Sequence, residues 1–175
     1  MTGVQTCALP IYTEHQGALR KYLAAAKTTA LVEHVRFALD NGLLAQTVVF
    51  GWHTAPLTAV TDALNRAGIA ADMLTGATSQ KRRVEIQDEF RRGHTRVIVG
   101  NILAAGTAID LSAASHGYFL ELDWLPANNT QAANRLVSLQ KMLPVSFDVA
   151  TWPGSFDEKL QGVLMRRSKE LASFI

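Results

Sequence analysis

Apolar positions along the chain switch repeatedly between a helical period and short continuous runs, and the switching predicts alternating helices and strands. Residues 24–41 place Leu31, Val35, Ala38 and Leu39 on one helical face, with Gly42 as a C-terminal stop. The polar residues 13–22 before them are compatible with a helix. QTVVFG, residues 46–51, is a brief apolar run of the kind expected in a buried parallel strand. A helix is predicted over 55–67, with Thr54 as cap, Pro56 in its first turn and Gly68 at its end. Leu57, Val60, Leu64 and Ala67 would form its inward stripe.

The pattern repeats down the chain. Residues 70–74 are a short strand candidate, Ser79 can cap a helix running to Arg92, and Gly93 can stop it. TRVIVG at 95–100 and YFLEL at 118–122 read as strands, 129–140 as a helix and 145–150 as a strand. Ser155 and Glu158 have the spacing of a capping box for a last helix to about residue 173. Phe156, Leu160, Val163, Leu164 and Leu171 supply that helix's apolar face. Strands alternating with helices at this spacing imply a three-layer α/β/α fold with a parallel β-sheet covered on both faces. Ligands are then expected at loops beyond the carboxyl ends of the strands.

Composition narrows the class. Apolar residues make up 48% and charged residues 18% of 175, which excludes disordered, collagenous and disulfide-scaffold chains and suits one domain. No apolar run is long enough to span a membrane. The formal net charge of +2 is too small to argue a nucleic-acid partner alone.

The first stretch, MTGVQTCALPI at 1–11, has no charge, no clear period and no secretory pattern. It resembles the in-frame translation of a common sequencing adapter, so it is set apart from the fold, and the natural reading frame is expected to begin upstream. Residues 12–26 are then a linker or helix, and 27–175 the domain proper. The single cysteine, Cys7, falls in the excluded stretch. A body without cysteine is compatible with a cytoplasmic protein.

Several chemistries lack their motifs. There is no GxxxxGK[ST], no GxGxxG after a strand and no GxSxG elbow. Histidines at 15, 34, 53, 94 and 116 form no ligand pair, so no metal site is expected. His53 follows a strand and could face a ligand, although packing beside Trp52 at the sheet edge is the commoner arrangement.

Three segments carry a signal. TGATSQKRR, 75–83, joins a strand to a helix whose N-terminal N–H groups can hold a phosphate. Between residues 80 and 96, six basic residues face three acidic ones, which by charge alone is still the pattern of a solvated helix face. GNILAAGTAIDLSAAS, 100–115, is rich in small residues that let backbone approach a ligand, with Asp110 offering a carboxylate to a ribose hydroxyl. NNTQAANRLVSLQK, 128–141, spaces Gln131 and Arg135 four apart, so that the arginine could fork onto a phosphate.

In order and spacing these pieces resemble the second RecA-like lobe of superfamily-two helicases. The likeness is to Swi/Snf-type ATPases, especially the annealing-helicase branch and its phage and bacterial relatives. It covers roughly residues 24–174. VVFGWHT resembles motif IV, LTGATSQKRR the strand-turn-helix with the "GST" element, ILAAGTAIDLSAAS motif V, TQAANRLVSLQK motif VI, and GSFDEKL the opening of the lobe's last helix.

The resemblance implies a lobe without its own P-loop. ATP and Mg²⁺ would be held mainly by an N-terminal RecA-like lobe, with DNA, expected to be double-stranded, lying across both lobes. It places Gly106, Thr107, Asp110, Gln131 and Arg135 toward the nucleotide, and Trp52, His53, Thr78, Ser79 and Arg82 toward DNA. It implies a cytoplasmic, nucleoid-associated protein of bacterial or phage origin. Motif VI departs from the family's HRIGQ: Ser138 stands at the arginine-finger position, and Lys141, with one point charge in another register, is a poor substitute. Motif V has Ala108 where a second glycine is usual. The expected function is therefore the C-terminal lobe of a DNA-dependent ATPase or translocase, inactive alone, with Ser138 in place of the arginine finger as the point where turnover would be impaired. The alternative is a non-catalytic nucleic-acid or partner-binding module built on the same lobe. A small-molecule α/β enzyme is disfavoured because no nucleophile–base pair is visible.

Overall fold

A computed structural model describes residues 9–105, 109–138 and 144–172. Gly106, Thr107 and Ala108 of motif V, Lys141 of motif VI and Cys7 lie outside the described residues. The chain runs α1 (Leu9–Asp40), β1 (Thr47–Gly51), α2 (Thr54–Arg66), β2 (Ala71–Leu74), α3 (Gln80–Arg91), β3 (Val97–Asn101) and α4 (Ile102–Ala105). It continues through β4 (His116–Phe119), α5 (Pro126–Ala133), a 3₁₀ turn (Asn134–Leu136), β5 (Ser146–Val149) and α6 (Phe156–Ala172).

All strand pairs are parallel, in the order β2-β3-β1-β4-β5. Successive side chains of a strand point to opposite faces, and here both faces are apolar. Val49, Val97, Val99, Tyr118 and Leu120 pack against α1 and α2 through Leu31, Val35, Leu39, Leu57, Val60 and Leu64. Val48, Phe50, Ile98 and Phe119 pack the other way, with Ile86 and Phe90 of α3, Ile102 of α4, Ala132 of α5 and Leu136. The expected three layers are therefore present. Among the described residues no helix is long and apolar enough to cross a membrane.

Glycine ends three helix–strand connections as the sequence suggests: Gly42, Gly68 and Gly93 have φ of 68°, 80° and 79°, the left-handed conformation that L side chains avoid. Gly117 is required for a different reason. A Cβ there would stand 2.7 Å from the Phe147 ring of the adjacent strand, which lies across the glycine.

Several elements differ from expectation. The polar segment 13–22 is continuous with the next helix, so α1 runs unbroken from Leu9 to Asp40. The cap position of α2 is His53, with no side-chain cap bond, and Thr54 is already helical. Ala67 is exposed, at the C-cap just past the end of α2. β4 starts at His116, two residues early, and ends before Glu121, which leaves the sheet register to meet the β1–α2 loop. Ser79 does cap α3, accepting from the Arg82 N–H at 3.3 Å. At α6 Ser155 accepts from Asp157 N–H, but Glu158 reaches Gly154 N–H at 2.8 Å instead of the cap residue's own.

The largest difference is at motif VI. The helix predicted over 129–140 starts earlier, at Pro126, and stops at Ala133. A buried Asp123 fixes that start: its carboxylate accepts from Leu125 N–H and Asn128 Nδ2, and Asn129 bonds its backbone on both sides. The chain then tightens into the 3₁₀ turn and is extended by Val137, and the Arg135 carbonyl accepts from Leu111 N–H at 3.0 Å.

Candidate nucleotide and DNA interface

In a parallel sheet every strand delivers its following loop to one edge. Trp52 and His53 leave β1 there, the turn 75–79 leaves β2, Asn101 ends β3 and Glu121 follows β4. Glu121 is buried, and its two oxygens are divided between tasks. Oε2 accepts from the Trp52 and His53 N–H groups at 3.1 and 2.9 Å, while Oε1 pairs with His53 Nδ1 at 2.7 Å. Asn101 Nδ2 donates to the Trp52 carbonyl at 2.6 Å. Trp52 and His53 are thus held in place from the residue following β4 and from the end of β3. Together with Arg20, Gln16, Gly17 and Trp124 they line a cavity of about 250 Å³. Arg20, itself buried, lies 5.4 Å over the Trp124 ring.

At the β2 end, Thr78 Oγ1 accepts from Thr75 N–H at 3.0 Å and closes the turn, leaving Ser79 exposed at the head of α3. Arg82 is half exposed and engaged with Asp72 at 2.6 Å and Glu85 at 3.4 Å. Its neighbour Arg83, which the sequence marks only as part of the basic run, donates to Thr78 O at 3.1 Å, Ala104 O at 2.9 Å and Thr75 O at 2.7 Å. Arg96 is likewise spent on the carbonyls of Leu39, Leu44 and Ala45. The basic surplus between 80 and 96 therefore includes two arginines that serve the fold.

The motif V and VI segments meet on the α3–α5 side of the sheet. Asp110 and Arg135, 25 residues apart in sequence, line one cleft of about 380 Å³ with Gln87, Ile109, Asn134 and Val137. Asp110 is exposed, its Oδ1 accepts from Ser112 N–H at 2.8 Å, and its own N–H donates to Gln87 Oε1 at 3.2 Å. Gln131 and Arg135 do not share one α-helical face as expected, because α5 has ended before Arg135. Gln131 is exposed on α5 and does not line the cleft. Ser138 is half buried, next to Val137 of the cleft wall. The cleft offers a guanidinium, amides and one carboxylate, a set suited to a phosphorylated, hydrogen-bonding ligand. Among the described residues no three His, Cys, Asp or Glu side chains gather as metal ligands would.

Residues 26–139 match the family described as helicase conserved C-terminal domain. This chain belongs to that family. The helicase lobe is similar to the human DNA annealing helicase and endonuclease ZRANB3, at 29% identity over 154 residues covering 87% of the chain and 14% of that protein. It is also similar to the DNA repair protein RAD5A of Arabidopsis thaliana, at 25% identity over 154 residues, 87% of the chain and 15% of that protein. The likeness is to the Swi/Snf-type branch, and the lobe spans about a seventh of the length of these relatives. The C-terminal part of the Fun30 ATPase domain superposes with a TM-score of 0.71 at 19% identity, covering 78% of the lobe and 44% of that chain. The Pyrococcus furiosus Hef helicase domain gives 0.59 at 21% identity, covering 78% and 28%. These superpositions establish the RecA-like fold. The relatives named are human and plant proteins, so they lend no support to the expected bacterial or phage origin.

Proposed function

We propose that this helicase lobe is the C-terminal half of a DNA-dependent ATPase, acting with an N-terminal RecA-like lobe that binds ATP and Mg²⁺. Residues 27–175 form the working lobe and 12–26 the segment leading into it. The observation that supports this reading best is the meeting of Asp110 and Arg135 in one cleft. In this reading the Arg135 guanidinium forks onto phosphate oxygens, and the Asp110 carboxylate accepts from a ribose hydroxyl. Gly106 and Thr107, outside the described residues, and Gln131 of α5 also serve the nucleotide in this reading. ATP with Mg²⁺ supplies phosphoryl-transfer chemistry; this chain's part is to orient the phosphates and offset their charge.

DNA, in this reading double-stranded, runs along the carboxyl edge. The first-turn N–H groups of α3 beside Thr78 and Ser79 hold a backbone phosphate, Arg82 adds charge, and Trp52 and His53 present a fixed surface next to it. Such contacts position the strand without reading its sequence.

Ser138 at the arginine-finger position favours a second reading, in which the lobe keeps its DNA contacts and has lost turnover. A neutral hydroxyl cannot offset charge on the departing phosphate, and loss of such an arginine typically costs about 10³ to 10⁵ in rate. The test is DNA-stimulated ATP hydrolysis by the two-lobed protein, with and without Ser138→Arg. A steep rise in turnover in the variant supports an ATPase impaired at this position. Unchanged turnover shows that Ser138 is not the defect. Salt-sensitive duplex binding with no hydrolysis in either protein supports the non-catalytic module.

A further inference from the structure

Arg83 and Gln87 stand one turn apart on the same face of α3 and bond to Ala104 and to Asp110. Arg83 Nη1 donates to the Ala104 carbonyl at 2.9 Å, and Gln87 Oε1 accepts from the Asp110 N–H at 3.2 Å. Arg83 also clips both ends of the turn that opens α3, through Thr75 O at 2.7 Å and Thr78 O at 3.1 Å. One residue past Asp110, the Leu111 N–H donates to the Arg135 carbonyl at 3.0 Å. A continuous set of contacts therefore leads from the turn 75–79, through α3, to both walls of the Asp110–Arg135 cleft.

We propose that α3 transmits DNA contact at the turn 75–79 to the cleft, with Arg83 and Gln87 as its two positioning residues. The proposal rests on the reading that this turn meets DNA and the cleft meets nucleotide. The physical basis is the stiffness of the parts. A guanidinium is a rigid planar fork, so its three carbonyl acceptors cannot shift independently. A twelve-residue helix moves as a unit, and its core anchors Ile86 and Phe90 are fully buried. A phosphate seated at the α3 N-terminus that moves the turn must move Arg83, Ala104 and the helix together, and Gln87 carries the shift to Asp110. Gln87 is the specific element: it is a neutral side chain whose only described bond crosses to the cleft loop. By linkage, nucleotide in the cleft would shift DNA affinity by the same factor.

The experiment is amide hydrogen exchange on this chain with a short DNA duplex, followed at Thr78–Lys81 and at Asp110, Leu111 and Ser112. Wild type should slow exchange at both places, by about five-fold or more at the distal amides. Gln87→Leu should keep the protection at 78–81 and lose it at 110–112. Gln87→Glu, which retains the acceptor for Asp110 N–H, should restore it. Arg83→Lys, able to reach fewer carbonyls, should fall between wild type and Gln87→Leu. Protection at 110–112 that survives Gln87→Leu, or is absent in wild type while 78–81 is protected, overturns the transmission. Absence of protection at 78–81 in wild type overturns the DNA reading itself, which is a separate outcome. Gln87 is half buried at the helix surface, so its variants test the proposal even where Arg83→Lys fails to fold.

Discussion

Glu121 holds His53 across two neighbouring strands, with Oε1 on the imidazole Nδ1 at 2.7 Å and Oε2 on the His53 N–H at 2.9 Å. The carboxylate is buried and the imidazole only partly so, so the pair fixes the start of α2 from beneath while leaving one ring edge toward solvent. Removing the carboxylate strands the Trp52 and His53 N–H groups in a place water does not easily reach. Glu121→Leu should cost about 2–6 kcal/mol of unfolding free energy, from the Trp52 and His53 N–H groups left without an acceptor at about 1–3 kcal/mol each. Glu121→Gln, which still accepts, should cost less than half of that. Denaturant titration of the two variants separates the cases, and equal losses would show that the acceptor geometry is not what matters.

Lys27 is the second polar anchor. Its buried ammonium donates to the Leu120 and Ala150 carbonyls at 2.6 and 2.7 Å and to Asp157 Oδ2 at 2.6 Å. It joins the ends of β4 and β5 to α1 and to the first turn of α6. Breaking one partner of a buried pair leaves the other uncompensated, typically about 3–5 kcal/mol. Lys27→Met, which removes all three bonds, should therefore lower the melting temperature most, and Asp157→Asn, which leaves the buried ammonium two carbonyls but no counter-charge, should lower it too. A Lys27→Met protein that melts with wild type would mean that the ammonium only balances its own desolvation.

These two anchors show where sequence reading reached its limit. The strand runs, the glycine stops and the Ser79 cap depend on neighbours within a few residues, and apart from the shifted β4 those elements fall close to where the pattern puts them. The parallel order followed from the alternation itself. Lys27, Glu121 and Arg83 act across 93, 68 and 21 residues, and no local period marks such partners. The one signal for Arg83 was its place in a basic run, and charge alone favoured a solvated face. The pattern in motif VI predicts a continuous helix because no breaker residue marks the 3₁₀ turn at Asn134–Leu136, where the Arg135 carbonyl bonds to the distant Leu111 N–H. Asp110 and Arg135 were each marked as candidates from their own segments. Their common cleft needed the fold.

Tyr118 gives an alkaline signature. Burial, and then the charge of Asp148, raises its phenol above the ordinary tyrosine value. The neutral phenol is the form the fold prefers. Its contribution is complete below the unfolded value of about 10 and is lost as pH rises through the raised folded value. Stability measured by denaturant from about pH 9 to 12 should fall more steeply in wild type than in Tyr118→Phe, with similar values near neutrality. Parallel curves would remove Tyr118 from the alkaline loss.

The central claim is that this lobe closes on a nucleotide with Arg135 in contact with its phosphates. The most direct measurement is DNA-stimulated ATP turnover by the two-lobed protein carrying Ser138→Arg, compared with the same protein carrying Arg135→Ala as well. The account predicts that turnover present in the first protein falls at least about a thousand-fold in the second, with duplex binding kept. Turnover that survives Arg135→Ala undiminished would contradict it.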